Sequence, residues 1–230
     1  MLLYDKKTAI KGIAAKLGAD LCGIAAIDRF DGAPEGFHPA AIYPQCRSVV
    51  VVAKRLPRGT GLVSPRIVYN KANDMNTFEV DRIAYLAALD IENLGGTAVP
   101  LPSDSPYDYW ESDSLTGKGI LSMRHAAVLA GMGSLGKNSM LINRTFGNMV
   151  TIGAILTDLE LASDPLAEDL CIPACRRCLA ACPQQALDGT GARQNLCRPH
   201  TYDTNARGFG VINCNACRTV CPLAFGAPSR

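Results

Sequence analysis

Eight of the ten cysteines in this chain of 230 residues fall between positions 171 and 221. One group reads Cys171-Ile-Pro-Ala-Cys175-Arg-Arg-Cys178-Leu-Ala-Ala-Cys182-Pro183. The other reads Cys214-Asn-Ala-Cys217-Arg-Thr-Val-Cys221-Pro222, with Cys197 upstream of it. Both contain Cys-x-x-Cys-x-x-x-Cys-Pro. Thiolates at that spacing wrap a cubane iron–sulfur cluster, and in proteins with two clusters the Cys before Pro crosses to the other one. That rule divides the eight without remainder. Cys171, Cys175, Cys178 and Cys221 make one site; Cys197, Cys214, Cys217 and Cys182 make the other. Structural zinc also uses Cys-x-x-Cys pairs, but it takes four ligands per site, and each run supplies three before its Pro. Cys171 departs from the pattern, because three residues rather than two separate it from Cys175. Two adjacent [4Fe–4S] clusters imply transfer of single electrons.

The remaining composition agrees with a metal-binding protein in a reducing compartment, where cysteines rarely pair as disulfides. Hydrophobic residues make up 48% and charged residues 19%, as in globular proteins. The formal charge is +2, and two thiolate-bound clusters would bring it to about −2. No basic excess argues for nucleic acid. No signal-peptide run or membrane-length apolar stretch is visible, so the cytoplasm is the default expectation. Cys22 and Cys46 lie in apolar segments and read as core residues.

Gly131-Met-Gly133-Ser134-Leu-Gly136-Lys137-Asn138 matches the glycine spacing of a dinucleotide loop. That fingerprint needs a strand before it and a helix after it. A helical pattern precedes this one, and the residues that follow make a poor helix. The glycines could still admit an anion, with Lys137 adding charge; a plain tight turn is the alternative. Arg66, Tyr69 and Arg124 are candidate site residues that could equally be surface or packing residues. His125 shares an apolar helical face with Leu121 and Val128, which reads as a core histidine.

These candidates must be positioned by a mixed scaffold. Ile10, Ile13, Ala14 and Leu17 recur at helical spacing before Gly18. Residues 21–26, 48–53, 97–101 and 149–157 read as strands. Residues 31–47 and 56–67 read as loops. Val80, Ile83, Ala84, Ala87, Ile91 and Leu94 predict a long helix, with Asn76 and Glu79 as a capping box. Residues 102–118 form a polar loop with Tyr107, Tyr109 and Trp110, long enough to suggest function. Residues 120–130 predict a helix and 158–170 a linker. The fold class is α+β with an α/β-like element order, divided into residues 1–160 and a cysteine region at 161–230 held mainly by its metals.

Taken together, Ser48–Ala53, Arg124–Asn138, Thr157-Asp-Leu-Glu-Leu161 and the paired cysteine motifs resemble the superfamily of epoxyqueuosine reductase and the corrinoid-dependent reductive dehalogenases. The resemblance covers roughly residues 30–225. It implies a nitroreductase-like domain that binds cobalamin base-off, followed by a small ferredoxin-like domain. No Asp-x-His-x-x-Gly is present, so the common histidine-ligated cobalamin motif is missing. The corrin would lie next to a cluster, with Arg66, Tyr69, Arg124, His125 and the loop residues Gly131, Gly133, Ser134, Gly136, Lys137 and Asn138 as its candidate contacts. The implied activity is a reduction driven by low-valent cobalt. Reduced ferredoxin or flavodoxin is the expected donor, and a small molecule or a corrinoid protein the expected substrate. An electron-transfer or corrinoid-reactivating protein without its own substrate is the competing expectation. Epoxyqueuosine reductases carry an Asp where this chain has Gly117, with Asp113 as the nearest replacement. The chain also ends nine residues after Cys221, without the tRNA-engaging extension expected of those reductases, so a compact relative with its own role and no nucleic-acid partner is expected.

Overall fold

A computed structural model describes residues 3–64 and 66–228. Its centre is a four-stranded, wholly antiparallel sheet in the order β1-β2-β8-β3. The strands are β1 (Leu21–Ala26), β2 (Ser48–Arg55), β3 (Ala98–Leu101) and β8 (Val150–Thr157). Antiparallel pairing settles the class as α+β. β2 carries Ser48-Val-Val-Val-Val-Ala53, a β-branched run that is buried throughout. Its register on β8 sets Val50 opposite Ile155 and Val51 opposite Ala154. Successive side chains therefore serve opposite faces, and both faces are covered.

Helix α1 (Leu3–Lys16) and the long α3 (Arg66–Asn93) cover one face. There Ile10, Ala14, Ile24, Val50, Val52, Ile83, Ala87, Ile91 and Ile155 form one core. Val80 of α3 lies so close to β8 that a Cβ on Gly153 would sit 2.6 Å from its Cγ1. Helix α4 (Met123–Leu129) and its flanking loops cover the other face, where Val49, Val51, Ala126, Ala127, Ala130, Ala154 and Leu156 form the second core. Cys46 is buried in that second core and Cys22 packs against the first, as expected of core cysteines. Burial pushes the Cys22 thiol up to about 12.

Two expectations about α3 need correction. The helix begins at Arg66, ten residues before the anticipated start. Asn76 is no cap: its Nδ2 donates to the Lys54 carbonyl and to Thr151 Oγ1, tying the middle of the helix to β2 and β8. Residues 66–75 lack the core period because Ile67, Val68 and Met75 are exposed and Tyr69 and Asn73 line a cleft. The 102–118 loop holds a hairpin of β4 (Tyr109–Glu111) and β5 (Thr116–Lys118).

The segment 158–170 runs beside β1 instead of hanging free. Asp164 accepts a hydrogen bond from the Ile24 N–H and its own N–H donates to the Ile24 carbonyl, while Ser163 Oγ accepts from Ala26. This closes the open edge of β1. Lys7 and Lys11 clamp Asp164 at 2.9 and 2.6 Å.

Candidate redox site

Each cysteine run folds into a turn that ends in a one-turn helix. Cys178 is the second residue of α5 (Arg177–Ala180), and Cys217 is the second residue of α7 (Ala216–Thr219). Cys197 lies on α6 (Gln194–Thr201), which leads into a hairpin of β9 (Tyr202–Thr204) and β10 (Gly210–Ile212). None of the eight cysteines is fully buried and all are free.

The structure sorts these sulfurs into two groups. Cys171, Cys175, Cys178 and Cys221 line one small cavity with Gly136, Lys137 and Ile142. Burial raises the Cys221 thiol, and the charges of Cys178, Cys171 and Cys175 raise it further. Burial also pushes the Cys217 thiol up to about 11. Arg218 lowers it, and Cys197, Cys214 and Cys182 raise it. The cysteines nearest Cys221 and Cys217 are those that line the same space as each of them, and Cys171 lines the small cavity beside Cys175 despite the longer spacing. Among the described residues no three His, Cys, Asp or Glu side chains converge to hold a single metal ion.

Cys182, Cys197, Cys214 and Cys217 line a second and much larger cleft of about 930 Å³. Its lining draws on residues between Phe37 and Arg218. Helix α3 supplies Tyr69, Asn73 and Thr77, and β8 supplies Val150, Thr151 and Ile152. Ser122, Arg124 and His125 come from the start of α4. Arg198 and Tyr202 come from α6 and β9, and the hairpin side adds Tyr107, Gly117 and Lys118.

Charge in the cleft is mainly positive. Desolvation lowers the Arg124 pKa and the nearby Arg218 lowers it further. Arg124 is fixed by donating from Nη1 to the Ser139 carbonyl at 2.8 Å, and Arg218 by donating to the Asn148 carbonyl at 2.6 Å. Asn148 Oδ1, Asn215 Nδ2 and Ser103 Oγ are buried without a hydrogen-bond partner, and all three residues line the cleft. A buried polar atom left unpaired costs about 1–3 kcal/mol, so a polar ligand there would recover that cost.

The hairpin is latched to the cysteine region. Gln194 Nε2 donates to the Gly117 carbonyl, and Gln194 Oε1 accepts from the Gly117 N–H, both at 3.0 Å. The Arg198 guanidinium lies 5.0 Å from the ring centroids of both Tyr107 and Trp110 and 5.7 Å from that of Tyr202. Desolvation raises both phenols, Tyr202 to about 12.

The candidates named from sequence divide accordingly. Tyr69, Arg124, His125 and Asn138 line the large cleft. His125 is a correction: it is exposed to the cleft, with Nδ1 2.7 Å from Ser122 Oγ, not packed in the core. Arg66 reaches the site through Asn215 Oδ1. Gly136, Lys137 and Asn138 border the small cavity. Lys137 donates to the Ile172, Pro173 and Cys175 carbonyls, and Asn138 Nδ2 donates to the Cys217 carbonyl at 2.9 Å. Gly131 and Gly133 do not line either space. At Gly131 the φ is +72° and a Cβ would meet the Pro165 carbonyl at 2.1 Å; at Gly133 a Cβ would meet the Ile142 carbonyl at 2.3 Å. Ser134 Oγ instead anchors the linker, contacting Asp169 and the Leu170 N–H. Asp158 is likewise structural, accepting from Thr97 and Tyr43. Asp113 is exposed in the hairpin turn, and the carboxylates that line the cleft are Asp104 and Asp108. Arg198, Tyr202, Arg218, Asn148 and Asn215 carried no signal in the sequence beyond lying near cysteines or glycines.

No family model matches the chain. Among curated proteins it is similar to the epoxyqueuosine reductase of Bacillus subtilis (strain 168). Identity is 26% over 254 aligned positions, covering 98% of this chain and 65% of that enzyme. A shorter match to the Gloeobacter violaceus epoxyqueuosine reductase is 36% identical over 115 residues, 44% of this chain and 35% of that protein. The chain thus spans about two thirds of the length of the first of these relatives or less. In three dimensions it shares the fold of a selenomethionine-labelled epoxyqueuosine reductase, with a TM-score of 0.65 at 21% identity over 97% of this chain and 66% of the other. It shares the fold of a catabolic reductive dehalogenase too, with a TM-score of 0.71 at 20% identity over 94% of this chain and 31% of the other. A further reductive dehalogenase structure of the same fold carries a B12-dependent mechanism. Another epoxyqueuosine reductase of this fold holds an epoxyqueuosine-modified tRNA stem loop. The resemblance read from the motifs therefore holds in both sequence and fold, while the expectation of no nucleic-acid partner gains no support from it.

Proposed function

We propose that the chain is an iron–sulfur reductase that carries two [4Fe–4S] clusters and binds a corrinoid in the large cleft. One observation carries this reading: Cys182, Cys197, Cys214 and Cys217 line the same cleft as Arg124, His125 and Tyr69. A cluster held there would border whatever fills the cleft. Sulfurs that ring a void suit a multi-atom cluster better than a point ion. The other cysteine set sits in its own cavity, and Asn138 borders both spaces, so a second cluster would lie within the same network.

A bound corrinoid would supply a strongly reducing, low-valent cobalt. Tyr69, Arg124, His125 and Asn138 would hold it, with the unpaired Asn148 Oδ1 and Asn215 Nδ2 offering polar contacts. The chain's own groups then set the environment. Arg124 and Arg218 hold fixed positive charge. Tyr202, raised by desolvation, keeps its phenolic proton at neutral pH and is available as a hydrogen-bond donor, while Tyr107 already donates to Asp104 Oδ1. Ser122 orients the His125 ring. The open cleft beneath the 102–118 hairpin has room for a substrate, which supports a reductase over a carrier of electrons alone. Reduced ferredoxin or flavodoxin would be the donor, and a small molecule or a corrinoid protein the substrate.

Gly117 narrows that substrate. A Cβ there would meet Arg198 Nη2 at 3.0 Å and the Trp110 ring at 3.2 Å, so the position offers no acid. Loss of a positioned general acid costs on the order of 10²–10⁴-fold. Reconstituted protein with a strong one-electron donor should yield little queuosine from epoxyqueuosine-containing tRNA; turnover near that of a full-length epoxyqueuosine reductase would point to Asp104 or Asp108 as the acid.

The reading itself is tested by titrating anaerobically purified protein with cobalamin. Binding should give a base-off cobalt(II) signal in electron paramagnetic resonance. No binding at high micromolar cobalamin would favour the electron carrier, and nitrogen hyperfine structure from a histidine would refute the ligand-free geometry.

A further inference from the structure

Helix α3 has two working faces. Tyr69, Asn73 and Thr77 face the cleft and Val80 to Ile91 bury the sheet. Its opposite side should be polar, as on most surface helices. It carries a stripe of exposed apolar side chains instead. Phe78 is 61% exposed, Tyr85 56%, Met75 48%, Val68 45% and Leu89 44%. These positions follow a heptad. Val68, Met75, Arg82 and Leu89 recur every seven residues, and Lys71, Phe78, Tyr85 and Glu92 each stand three residues later. An a/d seam of that kind is the pattern by which two helices pack along each other. The helix has 28 residues, which at 1.5 Å per residue gives ~42 Å of seam.

We infer that this face pairs with the same face of a second copy, antiparallel, to form a two-fold dimer. The charges along the seam select both the partner and the direction. A parallel pair would set Lys71 beside the partner's Lys71 and Glu92 beside the partner's Glu92. The antiparallel pair, with Met75 level with the partner's Tyr85, brings Lys71 at each end within one helical turn of the partner's Glu92. At the centre the Glu79–Arg82 pair, 3.0 Å apart and tied to the Leu17 carbonyl through Arg82, meets its own reversed copy. Met75 packs on the partner's Tyr85. Every contact occurs twice, as a two-fold interface requires. The stripe shares no residue with the cleft, so both clefts stay open, and the dimer does not depend on the redox reading.

Sedimentation velocity on the full, anaerobically purified protein tests this. Wild type should sediment as a dimer at tens of micromolar. Phe78→Glu should give a monomer with unchanged iron content and circular dichroism, since Phe78 is exposed. Lys71→Glu should weaken the dimer roughly tenfold by losing two end pairs and adding repulsion. Lys71→Glu combined with Glu92→Lys should restore it. A monomeric wild type, a dimer untouched by Phe78→Glu, or a charge swap that fails to restore association would overturn the proposal.

Discussion

Between Ile10 and Leu161 the chain buries two apolar cores, one on each face of the sheet, whereas beyond Leu161 the described residues bury only Ala186 and Ala224 among apolar side chains. The first region buries mainly β-branched and small residues against one another, and only a third, smaller cluster of Leu56, Tyr69 and Met149 also meets Ile212 and Phe225 of the second. The second has short helices of four to eight residues, two strands of three, and eight half-buried thiols. Neither a four-residue helix nor an isolated hairpin is stable alone. The comparison teaches that the two regions answer to different forces: burial of apolar area holds one, and the bonds from sulfur to metal would hold the other.

The sharpest way to break this comparison is to remove the metal. Chelation of iron under reducing conditions should collapse hydrogen-exchange protection across residues 171–221 while β2 and β8 keep theirs. Equal loss in both regions would show that the cysteine part is core-built after all. A smaller effect separates the two cysteine sets. Cys182→Ala should remove the cluster of Cys197, Cys214 and Cys217 although Cys182 lies in the first run, and Cys221→Ala should remove the other. Iron counting with cluster spectra reads the outcome, and loss confined to each residue's own run would reject the crossing.

The next step compares matched substitutions. Ile155→Ala, fully buried between β2 and α3, should cost about 2–5 kcal/mol in urea unfolding. Ile172→Ala, in the cysteine loop and 46% exposed, should stay within about 0.5 kcal/mol. A smaller effect than that of Ile155→Ala concerns the clamp that docks the linker. Burial would raise the Asp164 carboxyl, but hydrogen bonds from Lys11, Lys7 and the Ile24 N–H outweigh it and hold it below the usual range. A folded value below the unfolded one gives stability that is present above the unfolded pKa of about 3.9 and lost as pH falls through the lower folded value. Asp164→Asn should therefore cost roughly 1–3 kcal/mol at neutral pH and flatten the acid limb of the stability curve; an unchanged limb would remove Asp164 from the clamp.

Much of the scaffold could be read directly. Val49 to Val52 announced a strand buried on both faces, and the period of Val80 to Ile91 announced a core helix, because burial there is uniform and local pattern suffices. The N-terminal turns of α3 were hidden, since Tyr69, Asn70 and Asn76 are buried by contacts to β2, β8 and β10 that no local period records. The two cysteine runs were legible because ligand spacing is itself local; the division of their sulfurs between two clusters is part of the proposal. The cleft was legible only in part. Gly131 and Gly133 looked like ligand contacts, yet their missing Cβ atoms admit the Pro165 and Ile142 carbonyls, a tertiary demand that has the same sequence signature. Nothing in the local sequence marks Arg198 or Arg218, and only folding brings them to Tyr107 and Arg124.

The central claim is that the set Cys182, Cys197, Cys214 and Cys217 borders the cofactor cleft and the other set does not. Relaxation of cobalt(II) corrinoid bound to the reduced protein, measured by pulsed electron paramagnetic resonance, tests it most directly. The account predicts fast relaxation in wild type that persists in Cys175→Ala and slows markedly in Cys197→Ala. Slowing in Cys175→Ala with none in Cys197→Ala would contradict it.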